Sequence, residues 1–586
     1  MRDARTGWPY AGALMADASP GDSLQPSDVA KAPLALAVVL SVVPEVGQPG
    51  IAQVTAAVAI LAVAFARPTL KALPERLLAA LLGWAVLSTT WSVDAGQTVF
   101  LTALWLGGAA VVLAPRRVQG VVAPMLGMAL AVASALALRQ VLGGFQEVEQ
   151  AWELVPRGRE QYTRDWLARA RAHGPFPSPD NLAGFLAAAL PVVAGAAWNA
   201  AGPMRVAQGG AVLLGVAALV ATRSVGGVLC LTVAACASAG LLLWRRGRVR
   251  QLAALGAVGL LVVGAVVWMR SGREHEPVLE QALNRARDWG HAFQLMSHAP
   301  LRGVGAGAYE SAFNAWAPAG RPYSAYAHSA PLQLGVELGV VGLLLALALY
   351  VATSVWALRH APRSTTDALL ATGVLAACLH HFMDYELHTP AGLALFFAVA
   401  ALRARDALPD AELPSAPGPW KAVACVVAAG VAVLGAGAAM VGRNIPRLPD
   451  DEPLLGTVRL GAQLLRFDAR AQVALAQDLA LVARREAQQG NSPARLISEY
   501  EETALRATEL APMLPAGPML LARFRMERGE HLPAMTAYDI AIERSCCSTM
   551  LRRERMALAR ALGQTEKATQ DEAWLKQHAP WVFEEP

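Results

Sequence analysis

The chain of 586 residues is strongly apolar, because 55% of its residues are hydrophobic and only 16% are charged. A soluble domain carries about 25% charged residues, so this composition excludes an ordinary soluble globular protein. The net charge of +5 at pH 7 is modest and comes from short, scattered basic clusters, which argues against a nucleic-acid-binding surface.

Apolar segments of about 15–22 residues recur along the chain, and each is long enough to cross roughly 30 Å of hydrocarbon as a helix. Soluble helices interleave polar residues with a period of 3.6, and these segments do not. The pattern predicts an all-α, polytopic membrane bundle of about thirteen transmembrane helices. The predicted spans are approximately residues 33–46, 51–66, 76–92, 97–114, 119–139, 182–199, 204–222, 225–244, 251–269, 331–357, 367–385, 389–403 and 419–441.

These spans divide the chain into three parts. Residues 1–32 form an N-terminal segment without a compact apolar stretch and a small-residue cleavage site, which predicts no cleaved signal peptide. Residues 33–442 form the membrane domain, with two long loops over residues 140–181 and 270–330. Residues 443–586 form a soluble tail.

Lysine and arginine gather in four short loops that fall on one side of the predicted bundle, whereas loops 45–50 and 92–96, on the other side, contain neither. Short loops rich in these residues stay on the cytoplasmic side. We therefore expect a cytoplasmic N-terminus, with both long loops and the tail outside the cytoplasm. The basic loops are residues 67–76, 116–117, 245–250 and 359–363.

The tail has the spacing of a soluble helical domain, because from about Leu454 apolar residues recur with helical periodicity among charged ones. The stretch that begins at Ala507 aligns with the stretch that begins at Ala541 at a spacing of 34 residues, with Gly529 between them. This is the tetratricopeptide period. Stacks of such repeats usually offer a surface for a protein partner, and a spacer that binds nothing is the alternative.

The first long loop ends in an irregular stretch between Arg171 and Asn181, which contains one glycine and three prolines. These residues fix a non-helical backbone at the mouth of a membrane helix. Arg171 and Asn181 are thereby held near the membrane surface, where a charge is costly unless it meets an anion or water. The pattern favours a role for Arg171 in binding an anion.

Arg223 lies in a very short loop between the spans 204–222 and 225–244, on the outer side of the membrane. An arginine that reaches along the membrane interface explains most such cases. Positive residues are disfavoured in outer loops, however, so Arg223 opposes the orientation rule. A lipid phosphate would compensate for its charge.

The second long loop contains Arg285 and Trp289, then Gly303 and Gly305, and ends at His328 beside the tenth span. Histidine exchanges a proton near neutral pH, which suits the activation of a sugar hydroxyl. The glycine run alone is a weak indication of a phosphate loop, because it neither follows a strand nor opens a dinucleotide-binding unit.

Residue types typical of metal sites are sparse. The cysteines contain no Cys-x-x-Cys pair, and the outer loops contain no Asp-x-Asp pair. His380 and His381 are neighbours on a predicted helix and should face different directions, so a structural role is favoured for them and for His388. We therefore predict no metal site.

These corners resemble the O-antigen ligase and polymerase superfamily of bacterial lipid-linked oligosaccharide glycosyltransferases. That family has an Arg-x-x-Gly-x-Phe stretch followed by Pro-Asn-x-x-Ala, and residues 171–183 are similar, with Asp180 inserted between proline and asparagine. Its Ser-Arg-Gly corner resembles the stretch around Arg223, in an altered order.

Three further patterns extend the resemblance, which covers about residues 30–405. The family's Arg-x-x-x-Trp is similar to residues 285–289, and its Pro-x-x-Gly-x-Gly to residues 300–305. Its Ala-His-Asn-x-x-Leu is similar to residues 327–332, with serine in place of asparagine. A family-like stretch also ends at Asp384.

The resemblance implies transfer of a saccharide from an undecaprenyl diphosphate carrier to an acceptor hydroxyl at the periplasmic face of the bacterial inner membrane, without metal or cofactor. The acceptor would be a glycan, a lipid A core or a protein. The resemblance assigns His328 as the catalytic base. It also implies binding of the donor diphosphate by Arg171, Arg223 and Arg285, since arginine bonds phosphate oxygens in pairs. The supporting residues would be Asn181, Trp289, Gly303, Gly305 and Asp384.

The sequence is compatible with several functions. The function predicted first is an O-antigen or polysaccharide ligase or polymerase, and a protein O-oligosaccharyltransferase of the same superfamily is the alternative. A polysaccharide transporter or flippase is the rival from another class, which predicts ionisable residues at mid-membrane and two similar halves. An inactive anchor that presents the tail would leave His328 and the outer arginines unexplained.

Overall fold

The computed structural model describes residues 26–42, 50–64, 72–114, 116–146, 167–271, 278–318, 324–405, 418–443, 453–545 and 548–583. In these ranges the regular secondary structure is helical, and no strand occurs. Most of the N-terminal segment (residues 1–25) and the middle of the first long loop (residues 147–166) lie outside the described residues.

Each of the thirteen predicted spans overlaps a helix in the described residues, although the first, predicted over residues 33–46, corresponds to Pro26–Leu40. The membrane region contains the helices Pro26–Leu40, Ile51–Ala64, Leu73–Ser88, Ala95–Leu113, Arg116–Gln119, Val122–Arg139 (continued by a π-turn, Gln140–Gly144), Pro179–Asn199, Gly202–Thr222, Val225–Arg245, Val249–Ser271, Val278–His298, Tyr309–Trp316, Ala330–His360, Thr365–His381, Leu393–Ala404 and Gly418–Val441, with 3₁₀ turns at Glu386–His388 and Pro390–Gly392.

Within the described residues, seven helices are long and apolar enough to cross a membrane. This finding agrees with a multi-pass membrane protein, while the total of thirteen spans stays a prediction. The seven are Ala95–Leu113, Val122–Gly144, Pro179–Asn199, Gly202–Thr222, Val225–Arg245, Ala330–His360 and Gly418–Val441. Four further helices contain shorter apolar segments: Lys31–Leu40, Ile51–Leu61, Val249–Ala265 and Pro390–Ala404.

Polar contacts join the helix ends at both ends of the bundle. At one end the Ala330 amide donates to the Asp384 carbonyl at 3.0 Å, so the start of one helix meets the end of another. At the opposite end Asn199 Nδ2 donates to Thr366 Oγ1 at 2.6 Å. We call the end that carries Asp384 the site end. Helix Thr365–His381 therefore runs antiparallel to both Pro179–Asn199 and Ala330–His360.

The buried helix Pro179–Asn199 lies at the centre of the bundle and packs closely against its neighbours. Two glycines of those neighbours allow this approach. A Cβ atom on Gly227 would lie 2.6 Å from Ala183 Cβ, and one on Gly373 would lie 2.6 Å from the Ala188 carbonyl oxygen. Small residues at helix contacts are the usual device for close packing in membranes.

The helix Ala330–His360 is broken at Gly339, which has φ 69° and ψ −168°. The break frees backbone groups that must find partners elsewhere, because lipid offers none. Residues 300–305 supply them: the amides of Val304 and Gly305 donate to the carbonyls of Val336 and Glu337 at 3.2 and 2.8 Å. The second long loop is thereby fastened to the helix break.

The predicted supporting residues Gly303 and Gly305 belong to this fastening. A Cβ atom on Gly303 would lie 2.3 Å from the Glu337 carbonyl oxygen, and one on Gly305 would lie 2.2 Å from Ser92 Oγ. The Glu337 side chain is fully buried and accepts a hydrogen bond from the Gly307 amide at 2.8 Å. The glycine run thus contacts backbone and a buried carboxylate, which explains its composition by packing.

Replacing Gly339 with alanine should destabilise the protein by about 2–4 kcal/mol. Its backbone conformation is one that only glycine adopts without strain, and the added methyl group would lie 2.3 Å from the Leu301 carbonyl oxygen. Thermal unfolding in detergent would measure the loss. Gly430→Ala is the control, since a Cβ atom there meets nothing within 4 Å. Equal melting temperatures for the two variants would contradict this account of the break.

The tail consists of helices joined by short turns, and successive helices pack against each other. Ala507 and Ala541 are both buried, and Gly529 (φ 74°) forms the turn between two helices. Its tetratricopeptide character stays a prediction. The helices are Leu455–Leu464, Ala469–Gln488, Ala494–Leu510, Ala516–Glu527, His531–Glu543, Thr549–Ala561 and Thr565–His578, followed by a 3₁₀ turn at Pro580–Phe583.

A cluster of charged side chains joins the tail to the site end. Arg443 forms two hydrogen bonds with the fully buried carboxylate of Asp468, at 2.7 and 3.1 Å, and a third with Gln97 at 2.9 Å. Arg470 bridges Asp94, in the turn before helix Ala95–Leu113, and Glu310 of the second long loop, at 2.5 and 2.6 Å. Burial alone would lower the pKa of Arg470, but the Asp94 and Glu310 carboxylates raise it well above the ordinary value, so the side chain stays charged. The tail therefore contacts both the bundle and the loop that leads to His328.

Candidate active site

Side chains from four separate segments meet at the site end. Asp180 and Asn181 begin helix Pro179–Asn199, where the Ser178 side chain caps the helix by accepting from the Asn181 amide at 3.1 Å. Arg285 projects from helix Val278–His298, His328 precedes helix Ala330–His360, and Asp384 follows helix Thr365–His381. Residues separated by more than 200 positions in the sequence thus form one polar cluster.

Asp384 is the centre of this cluster and is only 2% exposed. Its Oδ2 accepts from Asn181 Nδ2 at 3.2 Å, and its Oδ1 accepts from the Tyr385 amide at 2.9 Å. His328 Nδ1 lies 3.3 Å from the same Oδ1, and Arg285 Nη1 lies 3.9 Å from it. One buried carboxylate therefore orients both the histidine and an arginine.

His328 is held in an unusual backbone conformation, with φ 50°. Trp289 Nε1 donates to the His328 carbonyl at 3.2 Å, and the Tyr385 ring meets the imidazole edge-on at 5.4 Å between ring centres. An ionised carboxylate only accepts hydrogen bonds, so the neutral ring donates to Asp384 through Nδ1. Nε2 then carries the lone pair that can accept a proton. The side chain is 29% exposed, so this atom can meet a substrate.

Arg171 is almost buried and reaches the cluster from the first long loop. Its Nε donates to the Thr222 carbonyl at 2.9 Å, and its Nη2 donates to Asp180 Oδ1 at 2.8 Å. Ser224 Oγ donates to the same carboxylate oxygen at 2.7 Å. Arg285 Nη2 lies 3.7 Å from Asp180 Oδ2. Asp180 therefore bridges the two arginines.

The loop that carries Arg171 is fixed by His173 and Gln140. The Gln140 side-chain oxygen accepts from the amides of His173 and Gly174 at 2.9 and 3.1 Å. His173 Nδ1 lies 2.7 Å from the Phe176 carbonyl oxygen. Burial lowers the pKa of His173, so its ring is neutral at pH 7. This local structure explains how an irregular, proline-rich segment holds Arg171 in one place.

Arg223 occupies a different position from the other predicted arginines. It ends helix Gly202–Thr222 in the left-handed conformation, with φ 51°, and its Nη1 donates to the Arg169 carbonyl at 3.0 Å. This bond fastens residues 167–169 to the corner between two helices. Arg223 lies beside Ser224, at the rim of the cluster that contains Arg171 and Arg285.

A second buried group lies next to the cluster. His380 Nδ1 is 2.5 Å from Glu386 Oε1, and His381 Nε2 is 3.7 Å from Glu386 Oε2, so the two neighbouring histidines approach one carboxylate. The structural role expected for them stays a prediction. Burial raises the pKa of the Glu386 carboxyl to about 7, although the nearby His380 acts in the opposite direction. Gly184 leaves space for the pair, since a Cβ atom there would overlap Glu386. His388 contacts Glu337 at 2.9 Å.

The sequence identifies Asp384 but assigns no role to two other carboxylates of this region, Asp180 and Glu386. Nor does it assign a role to the Ser224 hydroxyl, which donates to Asp180. The signal that points to Asp180 is its place in the first turn of a helix whose neighbours carry arginines, because a buried arginine needs an anionic partner. Within the described residues, no group of three or more histidine, cysteine or acidic side chains has the arrangement of a metal site.

The comparison with protein families gives one match. A family model described as O-antigen ligase covers residues 210–347, a stretch that contains Arg223, Arg285, Trp289 and His328. No curated protein matches the chain. The match supports the O-antigen ligase superfamily and, with it, a membrane glycosyltransferase activity.

Proposed function

We propose that the protein transfers a saccharide from an undecaprenyl diphosphate carrier to an acceptor hydroxyl, as an O-antigen or polysaccharide ligase or polymerase. The observation that carries the proposal is the pairing of His328 with buried Asp384, next to Arg171 and Arg285. A proton acceptor and two phosphate-binding cations occupy one partly open cluster.

In the proposed reaction the acceptor oxygen attacks the anomeric carbon of the donor sugar. The bond between that carbon and the diphosphate oxygen breaks, and its electron pair leaves with the lipid diphosphate. His328 Nε2 takes the proton of the acceptor hydroxyl, and Asp384 stabilises the imidazolium that forms. Arg285 and Arg171 stabilise the charge that develops on the leaving diphosphate, because arginine forms paired hydrogen bonds with phosphate oxygens.

The remaining predicted residues support this centre in the proposal. Asn181 orients Asp384, and Trp289 fixes the His328 backbone. Arg223 would meet the carrier phosphate at the rim. The chemistry needs no metal, since two guanidinium groups supply the positive charge. The site end faces the periplasm in this proposal, and the N-terminus lies in the cytoplasm, because the basic loops are on the opposite side.

The tail enters the proposal as a periplasmic, tetratricopeptide-like domain that binds a protein partner or the acceptor. Its contact with Glu310 places it on the same loop that carries His328. This position suits a domain that acts on the acceptor or on the growing glycan.

The proposal is tested with the full chain reconstituted in vesicles that contain undecaprenyl diphosphate-linked oligosaccharide. Three acceptors are offered separately: the same repeat unit, a lipid A core and a serine-containing peptide. We expect release of undecaprenyl diphosphate together with a new glycoside on one acceptor, and that acceptor distinguishes polymerase, ligase and protein glycosylation.

Arg285→Ala protein and empty vesicles serve as controls for the transfer assay. Movement of the intact lipid-linked oligosaccharide across the bilayer, without release of the diphosphate, would indicate a flippase. No release of diphosphate with any of the three acceptors would contradict a transferase.

A further inference from the structure

The Asp180 carboxylate occupies the position between two arginines that a phosphate group would also favour. It accepts from Arg171 at 2.8 Å and from Ser224 at 2.7 Å, and it lies 3.7 Å from Arg285. Guanidinium groups bind carboxylate and phosphate oxygens with the same geometry. The two anions are therefore competitors for one place.

Both arginines are held by contacts that do not involve Asp180. Arg171 is 9% exposed, and its Nε donates to the Thr222 carbonyl at 2.9 Å. Arg285 is carried by helix Val278–His298, which Trp289 ties to the His328 backbone. Removing the Asp180 charge should therefore leave the arginines in position.

The cluster also contains polar atoms that no described residue satisfies. Asn181 is fully buried, and its Oδ1 has no hydrogen-bond partner; Arg285 Nη1 is a buried atom without one. Buried polar atoms of this kind are unusual in a folded protein and often mark a place where a ligand binds. An acceptor and a donor thus remain available beside Asp180.

Burial identifies which of the two carboxylates a bound anion would displace. Arg171 and Arg285 balance Asp180 and Asp384, so an added diphosphate would meet two carboxylates as well as two arginines. Asp384 is 2% exposed and fixed by the Asn181 side chain and the Tyr385 amide. The Asp180 side chain is 26% exposed and lies in the first turn of its helix, so it is the carboxylate of the two that has access to water.

We propose that Asp180 is an internal substitute for a donor phosphate: it pairs with Arg171 and Arg285 in the unliganded protein and is displaced when a lipid diphosphate binds. Asp180 is then a specificity-determining residue, because a weakly charged lipid headgroup does not compete with its carboxylate. This inference rests on the proposed function. It adds that competition between the Asp180 carboxylate and the donor diphosphate for the two arginines sets the affinity for the donor.

The test measures binding of undecaprenyl diphosphate, without sugar, to the full chain in lipid nanodiscs. Asp180→Asn keeps the size of the side chain and removes its charge. We expect its Kd for undecaprenyl diphosphate to fall about tenfold or more, and the KM for the donor to fall with it. Asp180→Glu retains the charge and should not bind more tightly than the natural protein. Glu527→Gln, at an exposed carboxylate of the tail, controls for net charge.

Inorganic pyrophosphate as a competitor separates the headgroup from the lipid. Displacement at comparable concentrations would indicate that the diphosphate alone is recognised, and poor displacement would indicate that the polyprenyl chain contributes. Whether pyrophosphate displaces the lipid well or poorly, competition by Asp180 requires that Asp180→Asn bind undecaprenyl diphosphate more tightly than the natural protein does.

Unchanged or weaker binding by a folded Asp180→Asn protein, as judged by its melting temperature, would overturn the inference while leaving the transferase intact. If Asp180→Asn does not fold, Ser224→Ala takes its place, because losing the hydrogen bond to Asp180 should also lower the Kd. An unchanged Kd for Ser224→Ala would then overturn the inference. If neither the natural protein nor any variant binds undecaprenyl diphosphate, the proposed function fails, and the inference fails with it.

Discussion

Replacing His328 with alanine should slow saccharide transfer by about 10²–10⁴-fold, the range that one general base contributes. The imidazole is the group that receives the acceptor proton in the proposed reaction, and its Nδ1 is already directed at Asp384 at 3.3 Å. Binding of the donor should change little, because Arg171 and Arg285 are untouched. Single-turnover transfer with saturating donor measures the chemical step, and a binding assay on the same protein measures the Kd for the donor.

His298→Ala is the matched control, since this histidine lies on the same long loop and stacks on Trp316 with 4.6 Å between ring centres. It should retain transfer within a few-fold of the natural protein. A second variant, Asp384→Asn, tests the orientation of the ring by removing the charge that faces Nδ1. If His328→Ala transfers saccharide at the natural rate, then the acceptor loses its proton to another group, and His328 is not the base.

The second large effect concerns Arg443, the first residue of the tail, which bonds Asp468 within the tail and Gln97 of the bundle. Arg443→Ala should destabilise the packing of the tail on the bundle by about 3–5 kcal/mol, because it removes the bond to Gln97 and leaves the Asp468 carboxylate buried without its cation. Asp468 is fully buried, and Arg443 also lies over the Phe100 ring at 4.1 Å. Hydrogen exchange of helix Leu455–Leu464 in the full chain should accelerate at least about 100-fold, since about 1.4 kcal/mol corresponds to a factor of ten.

Arg484→Ala provides the comparison, because Arg484 and Glu527 are 51% and 47% exposed. An exposed pair contributes about 0–1 kcal/mol, so exchange should hardly change. The double variant Arg443→Met, Asp468→Leu should recover part of the loss, since an apolar pair leaves no buried charge. Equal exchange in Arg443→Ala and the natural protein would show that apolar packing alone holds the tail.

The sequence predicts the helices well because membrane spans are long and nearly free of charge, so each one is a strong local signal. Each predicted segment overlaps a helix in the described residues, and the largest displacement is at the first, which is predicted over residues 33–46 and observed over Pro26–Leu40. The break at Gly339 escapes this reasoning. A hydrophobicity average does not register one residue with a positive φ, and the partners that stabilise the break lie in a distant loop.

The sequence likewise identifies some residues of the candidate site and not others. His328, Arg171, Arg285 and Asn181 are singled out by residue type and by motifs in or beside the two long loops. The structure brings them within one cluster around Asp180 and Asp384. Their catalytic and binding roles stay predictions. Asp180 was passed over because its importance depends on which arginines surround it, and pairing between segments is a property of the tertiary fold.

The glycine run has a physical basis that the sequence alone does not show. Gly303 and Gly305 match a family pattern, and their role in supporting the site stays a prediction. The structure places both against backbone or side-chain atoms that leave no space for a Cβ atom. The motif therefore shows that small residues are required at these positions. The reason, which is the lack of space for a Cβ atom, follows only from the atoms that surround them in the fold.

The broken helix Ala330–His360 has a consequence for how the protein is made. An uninterrupted apolar helix can enter the bilayer alone, whereas this one leaves backbone groups around Gly339 without partners until residues 300–305 are in place. Those residues leave the ribosome first, so the segment that completes the helix is already available when the helix is synthesised. Insertion of this helix is thus coupled to the correct placement of the loop before it. A chain from which residues 300–305 are deleted would insert this helix with an unsatisfied break.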